Sequence, residues 1–306
     1  MSSPVVEERA FQVATVFLIV AVGSVVLGAL LAPLAYEVLV SVFGQEKFRY
    51  SRVFHRAAMV CAAGLLYYFR RELKLGELIA QLRAAPFRLS LARIVLGAGI
   101  SLLASLAVLP FVITGMPLQW QSRDLFAAAL WIGGVVPGAI IVSLIEETFF
   151  RGILFLQLRD RLGVWGAGFA SSLLYAVVHF MTPVGQWRYP GYSPWVGLEY
   201  LGAVFGRMAA PAIEAGIVGL FLVGAVLCFV LHRGALLSIC IGLHTGWVIA
   251  VKVSFYFTAV APGYEFPAGV GRRYFLVAQP LTWLSIVAVG AVVLFLWLPR
   301  IRRSAA

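Results

Sequence analysis

Charged residues are scarce in this sequence. Of 306 residues, 24 are Lys or Arg and 13 are Asp or Glu, so charged side chains make up 12% of the chain, about half the fraction usual in soluble domains. So few charges cannot cover a water-exposed surface without large apolar patches. This scarcity excludes an ordinary soluble domain, and the 22 Phe and 8 Trp exclude intrinsic disorder.

Cysteine and the usual zinc motifs are also lacking. The three cysteines, Cys61, Cys228 and Cys240, lie inside apolar runs without C-x-x-C spacing, and no H-E-x-x-H occurs. The sequence therefore indicates neither a disulfide framework nor a cysteine zinc site. No cleavable signal peptide is expected, because Glu7 and Glu8 precede a first apolar run that is too long for a signal sequence.

Long hydrophobic runs dominate the chain, whose mean hydropathy is +0.95. Eight such runs cover about residues 11–43, 57–69, 94–115, 125–150, 164–180, 212–231, 235–257 and 280–298. A chain of this length is enough for roughly eight spans of about 20 residues. We expect an all-α, polytopic membrane bundle of about eight transmembrane helices. The first run contains Pro33 and is expected to kink or tilt, and the second is short for a span.

The net charge of +11 comes from basic residues that cluster between the apolar runs. That position is typical of contacts with anionic lipid headgroups, not with nucleic acid. If all eight runs cross, 14 basic residues fall on the side of the termini and 10 on the other. The positive-inside rule then predicts a multi-pass protein of the cell membrane with both termini in the cytoplasm.

Two loops carry further membrane signals. Residues 81–93 are predicted to lie as a basic amphipathic segment on the headgroups. Residues 185–200 contain five aromatic residues that resemble an interfacial belt; they are Trp187, Tyr189, Tyr192, Trp195 and Tyr200. Arg207 is expected to lie at a solvated loop.

An acidic pair ends the fourth run, in the sequence E-E-T-F-F-R. On a helix Arg151 shares the face of Glu147, four residues earlier, whereas Glu146 lies about 100° away. One carboxylate can thus be neutralised while the other stays free for general acid/base chemistry. The alternative is a helix-end salt bridge without catalytic function.

Two histidines lie within apolar runs. His179 ends the fifth run one turn after Tyr175, and a buried hydrogen-bonding role is its alternative. His244 stands between Gly242 and Gly246 in the seventh run, where a packing seam of small residues is the alternative. Together, two carboxylates, an arginine and two histidines on three apolar helices form a constellation that packing alone does not require.

In this order, E-E-x-x-x-R, an aromatic-x-x-x-H motif and an intramembrane histidine resemble the CPBP family of intramembrane proteases. This family includes the CAAX prenyl endopeptidases and bacteriocin-processing or immunity proteins. The resemblance covers about residues 137–254. It implies residues 125–255 as the catalytic core, residues 1–124 as N-terminal helices with a basic cytoplasmic loop, and residues 256–306 as a C-terminal loop and last helix, all in one bundle.

The resemblance also implies an endopeptidase that hydrolyses a membrane-tethered or hydrophobic protein tail with a water activated by glutamate and histidine. Its catalytic residues would be Glu146, Glu147, His179 and His244, supported by Arg151, Tyr175 and Trp247. Glu146 and His179 would deprotonate the water, His244 would stabilise the oxyanion, and Arg151 would fix Glu147.

One position departs from the family pattern. Val248 stands where the family usually has Asn or Asp, and valine cannot donate to an oxyanion. The indole N–H of Trp247 is the expected replacement.

Other readings stay open from the sequence. No cofactor is expected, but zinc is an alternative because Glu146, His179 and His244 offer ligands of the kind it uses. The chain is alternatively a non-catalytic scaffold or bacteriocin-immunity factor of the same fold, with Val248 marking lost catalysis. A transporter with an acidic gate would call for inverted repeats and broken helices, and neither is found. The substrate and the oligomeric state are not encoded in any motif.

Overall fold

The computed structural model describes residues 4–44, 48–83, 86–181, 187–208, 213–234, 236–266 and 272–297. These residues are almost entirely helical, as predicted. The chain divides into two compact units. Unit 1 comprises Met1–Glu77 with Val178–Pro211, and unit 2 comprises Leu78–Val177 with Ala212–Ala306. The three-part division expected from the sequence stays a prediction.

Unit 1 is built on a long N-terminal helix. Helix α1 (Pro4–Phe43) continues through Pro33 as one helix, and α2 (Tyr50–Tyr68) and α7 (Val196–Met208) both pack against it. The approach of α7 is close, since a Cβ at Gly197 would overlap the backbone carbonyl of Ala29. Only glycine permits this contact.

An aromatic cluster fills the core of unit 1. The Tyr50 ring lies 5.0 Å from Trp187, 5.1 Å from Tyr189 and 5.3 Å from Tyr200, between ring centroids. Of the predicted interfacial belt, only Tyr192 and Trp195 are exposed, and Tyr200 is fully buried. The prediction of a belt is therefore wrong for Tyr200, because packing against α2 buries a ring that the sequence pattern alone places at an interface.

A hydrogen bond anchors the loop before α7 to α1. The Tyr189 hydroxyl donates to Glu37 Oε1 at 2.8 Å. Burial, together with this bond and the nearby Glu37 charge, raises the pKa of Tyr189. The phenol therefore stays a donor at neutral pH.

The helices of unit 2 follow α3 (Leu75–Arg83), which spans the boundary between the units. They are α4 (Phe87–Thr114), α5 (Leu125–Glu147), a π-helix (Thr148–Phe155), α6 (Leu156–His179), α8 (Glu214–His232), α9 (Leu237–Phe257), α10 (Arg272–Val277), α11 (Pro280–Val292) and a second π-helix (Val293–Trp297). Strand β1 (Leu118–Trp120) pairs antiparallel with β2 (Thr258–Val260), with Leu118 opposite Val260. Gly163, with φ 67°, breaks α6 near its start, and the last residues of α6 belong to unit 1.

Helix α9 is the centre of unit 2, with α4 and α5 packed along it. Glycines form the contact with α4: a Cβ at Gly242 would overlap the Ile94 carbonyl, and one at Gly246 would overlap Ser101 Oγ and the Ala98 carbonyl. The seam of small residues that the sequence offered as an alternative is therefore present. It fixes the position of His244, which lies between the two glycines.

Five helical segments in the described part of the chain are long and apolar enough to cross a membrane. They are Thr15–Phe43, Phe87–Thr114, Leu125–His179, Glu214–His232 and Leu237–Phe257. The third has 55 residues and covers two predicted runs, and Pro280–Phe295 is a shorter apolar helix. Helix α2 does not qualify by composition. The chain is a multi-pass, all-α membrane protein. Its predicted orientation counts Arg300, Arg302 and Arg303, which lie outside the described residues.

Candidate functional site

Helix α5 buries one narrow stripe of small and polar side chains. Ala139, Ser143 and Glu147 follow one another at four-residue spacing and are fully buried, on a helix whose main neighbour is α9. Ile141 and Ile145, on the opposite face, are exposed. Glu147 therefore points inward, and the neighbouring Glu146, 26% exposed, lies at the margin of the packed face.

The π-helix that follows α5 carries Arg151 into the interior. Arg151 Nη1 donates to Glu147 Oε1 at 3.0 Å, and both side chains are 0% exposed. This confirms that the two residues share one face. The Arg151 guanidinium also lies 4.6 Å from the Tyr175 ring centroid, so the cation is compensated by a carboxylate and an aromatic face.

Glu147 binds a second partner from α9. His244 Nδ1 lies 2.7 Å from Glu147 Oε1, the same oxygen that accepts from Arg151. A carboxylate only accepts, so His244 Nδ1 carries the proton and donates it to Glu147. Glu147 thus fixes both the orientation and the protonated nitrogen of the imidazole ring.

The other ring nitrogen of His244 faces Glu146 and Tyr175. His244 Nε2 lies 3.8 Å from Glu146 Oε2, and the buried Tyr175 hydroxyl lies 3.4 Å from it. Tyr175 holds its place through its stack under Arg151 and an edge contact with Phe150 at 5.2 Å. His244 is therefore held between the two carboxylates.

The structure brings together five of the seven predicted site residues: Glu146, Glu147, Arg151, Tyr175 and His244. The sequence did not indicate that Glu147 would hold His244 as well as Arg151, because the two residues lie 97 positions apart. His179 is the half-buried last residue of α6 and falls in unit 1. Its approach to Glu146 stays a prediction.

The neighbouring turn of α9 holds Trp247 and Val248. Trp247 is 8% exposed, and its Nε1 has no hydrogen-bond partner among the described residues. Val248 is half-buried. A buried indole N–H without an acceptor fits the predicted donor, and its role stays a prediction.

Sequence reasoning overlooked Ser143. Its side chain is 0% exposed, and in the described part of the chain its hydroxyl has no partner. The signal was present in the sequence, since Ser143 precedes Glu147 by one helical turn and so shares its face.

No group of three or more His, Cys, Asp or Glu side chains within the described ranges is placed to hold a metal ion. Cys228 and Cys240 are buried, Cys61 is half-buried, and none of the three forms a disulfide among the described residues. Zinc therefore has no complete ligand set among these residues.

A comparison with protein families matches residues 127–250 to the family described as type II CAAX prenyl endopeptidase Rce1-like. The match confirms the resemblance to the CPBP family, and it covers every residue of the site. Proteins of this family are proteases that act on membrane-tethered prenylated tails. No curated protein and no solved structure matches the chain.

Proposed function

We propose that this protein is an intramembrane endopeptidase that hydrolyses a peptide bond in a membrane-tethered protein tail, with a water activated by Glu146 and His179 and without a metal. The observation that carries the proposal is His244, held between Glu147 and Glu146 on apolar helices. Ionisable groups at such a depth persist mainly where they are paired or functional. The family match over residues 127–250 supports the same chemistry.

In the proposed reaction Glu146 takes a proton from the water as the water oxygen bonds to the peptide carbonyl carbon. The carbonyl oxygen becomes an oxyanion in a tetrahedral intermediate. The C–N bond then breaks, and the proton passes from Glu146 to the leaving amine. His179 positions the water by a hydrogen bond. The base, Glu146, and the residue that positions the water therefore come from different helices.

His244 is the proposed oxyanion partner, together with the Trp247 indole. Its Nδ1 is committed to Glu147, so a bond to the oxyanion requires a second proton on Nε2. Glu147 on one side and Glu146 on the other compensate the charge of that imidazolium. Arg151 and Glu147 act as positioning residues, since they hold the ring without touching the substrate.

The proposed substrate is a lipid-anchored protein tail, presented from the bilayer. Glu146 is partly exposed at the edge of α5, next to the exposed Ile145 and Leu144. An apolar tail can approach along this face without crossing water. The proposed setting is the cell membrane, with anionic headgroups around the basic loops and both termini in the cytoplasm.

One observation favours a second candidate. Val248 supplies no donor beside His244, and loss of one oxyanion donor typically costs about 100- to 1,000-fold in turnover. A non-catalytic scaffold or immunity factor of the same fold would tolerate this position. Catalysis is preferred because hydrogen bonds join Glu147 to both Arg151 and His244, and Glu146 Oε2 lies 3.8 Å from His244 Nε2.

The test is cleavage of a farnesylated CAAX peptide by the protein in membranes. We expect Glu146→Gln, His179→Ala and His244→Ala each to lower the rate at least about 100-fold, since each removes a group from the reacting centre. Lys252→Gln, which changes a charged side chain of α9 with no proposed role, is the control. Unchanged cleavage in all three variants would overturn this mechanism, and absence of cleavage by the wild type would favour the scaffold. Activity lost on chelation and restored by zinc would favour the metal alternative.

A further inference from the structure

The Ser143 hydroxyl is a buried donor with no acceptor among the residues that the structure describes. Serine and threonine side chains inside helices usually donate to a backbone carbonyl one turn earlier. In unit 2, Ser101 bonds the Gly97 carbonyl at 3.1 Å and Thr245 bonds the Ile241 carbonyl at 2.7 Å. Ser143 makes no such bond within the described residues, although its side chain is 0% exposed. A polar group in this condition costs stability, so its presence here calls for an explanation.

The antiparallel packing of α5 and α9 places Ser143 one turn from His244. At one end Trp131 stacks on Tyr256 with ring centroids 4.5 Å apart, and at the other Glu147 binds His244. Sixteen residues of α5 and twelve of α9 separate these two contacts. By this ratio, a step of four residues along α5 from Glu147 to Ser143 matches a step of about three residues along α9 from His244 to Trp247. Ser143 lies at the level of Trp247 and its neighbour Val248.

The direction of Ser143 follows from its place in the buried stripe. Ala139 and Glu147, at four residues on either side, are buried on the same face of α5, and Glu147 on this face reaches His244. Ser143 therefore faces α9 beside the imidazole. Val248 offers only methyl groups at this level, whereas Ser143 and Trp247 are unpartnered side-chain donors among the described residues.

We propose that the Ser143 hydroxyl donates a hydrogen bond to the substrate's scissile carbonyl and to the oxyanion that forms from it. This inference rests on the proposed function and adds a catalytic residue to it. It gives the site a donor on α5, next to the base Glu146, in addition to those on α9. The unpartnered hydroxyl destabilises the free enzyme. It stabilises the transition state by donating to the carbonyl oxygen as negative charge develops there.

The experiment compares two farnesylated CAAX peptides that differ only at the scissile bond, one with the normal carbonyl and one with a thiocarbonyl. Sulfur accepts hydrogen bonds poorly, so the wild type should cleave the oxygen peptide much faster. We expect Ser143→Ala to lower kcat for the oxygen peptide about 100-fold with KM little changed, and to shrink the oxygen-over-sulfur preference by a similar factor. Ser285→Ala is the matched control, because it removes an equally unpartnered buried hydroxyl on α11.

Thermal unfolding separates catalysis from structure. Because the hydroxyl has no partner in the described part of the chain, Ser143→Ala should leave Tm unchanged or raise it while turnover falls. A lowered Tm with an unchanged oxygen-over-sulfur preference would overturn the proposal, and would show instead that Ser143 bonds a protein group such as Glu147. Wild-type kcat in Ser143→Ala would overturn it too. If Glu146→Gln stays inactive in that case, the proposed function stands and only the role of Ser143 fails.

Discussion

At the scale of single residues, one carboxylate holds the site together. Glu147 Oε1 accepts from Arg151 at 3.0 Å and from His244 at 2.7 Å, and all three side chains are buried. The spacing of four residues predicted the contact with Arg151, because that contact is local. The contact with His244 depends on how α5 meets α9, and no local pattern encodes it.

Loss of the Arg151 side chain should lower the free energy of unfolding. Arg151→Met leaves Glu147 as a buried carboxylate without its cation, and breaking a buried pair in this way costs about 3–5 kcal/mol. We expect a free energy of unfolding lower by this amount in a denaturant titration in bicelles. Arg159→Met is the control, because the Arg159–Asp160 pair is solvent-exposed, and such pairs contribute about 0–1 kcal/mol. Equal losses in the two variants would show that the buried pair does not stabilise the fold.

Arg207 shows where residue-level prediction failed. The sequence places it near the boundary of the sixth apolar run, residues 212–231, which predicts a solvated loop. In the structure it is 4% exposed, and its guanidinium lies 5.5 Å from the Phe180 ring centroid. Long-range packing within unit 1 decides the burial of this side chain, and hydropathy along the chain does not contain that information.

At the scale of helices, glycine placement determines how closely α9 packs. The sequence indicates a packing seam at Gly242 and Gly246 with a histidine in it, and both parts of that interpretation describe the structure. The seam packs on α4, while His244 faces Glu147. The sequence could predict that α9 approaches another helix closely. It could not predict which helix, nor the π-helix that carries Arg151, because π-helices have no strong sequence signature.

A single methyl group should disturb this seam. At Gly246 a Cβ would overlap Ser101 and the Ala98 carbonyl, so Gly246→Ala should destabilise the protein by about 1–3 kcal/mol and displace His244, with loss of activity. Gly138→Ala is the matched control, because a Cβ there meets open space and alanine favours a helix by about 1 kcal/mol. Denaturant titration and peptide cleavage measure both effects. A Gly246→Ala variant as stable and active as Gly138→Ala would contradict the close packing.

At the scale of the whole molecule, composition predicted the class of protein correctly. Only 12% of the residues are charged, which predicts a membrane protein. The chain is an all-α membrane protein, and most predicted apolar runs are helices. Runs four and five belong to one helical segment of 55 residues, but Gly163, with φ 67°, breaks that segment directly before Val164, where the fifth run is predicted to begin. The division into two units was not predicted. This division depends on which helices pack together. Residues 178–211, for example, belong to the same unit as residues 1–77.

The central claim is that Glu146 activates water for peptide hydrolysis, and the fate of that water oxygen tests it most directly. Purified protein in bicelles would cleave a farnesylated CAAX peptide in ¹⁸O-water with excess chelator present, and mass spectrometry would weigh the shortened peptide. We predict a new carboxyl terminus that carries one ¹⁸O with the wild type, and no product above background with Glu146→Gln. Labelled product formed by Glu146→Gln at the wild-type rate, or no product from the wild type without zinc, would contradict this account.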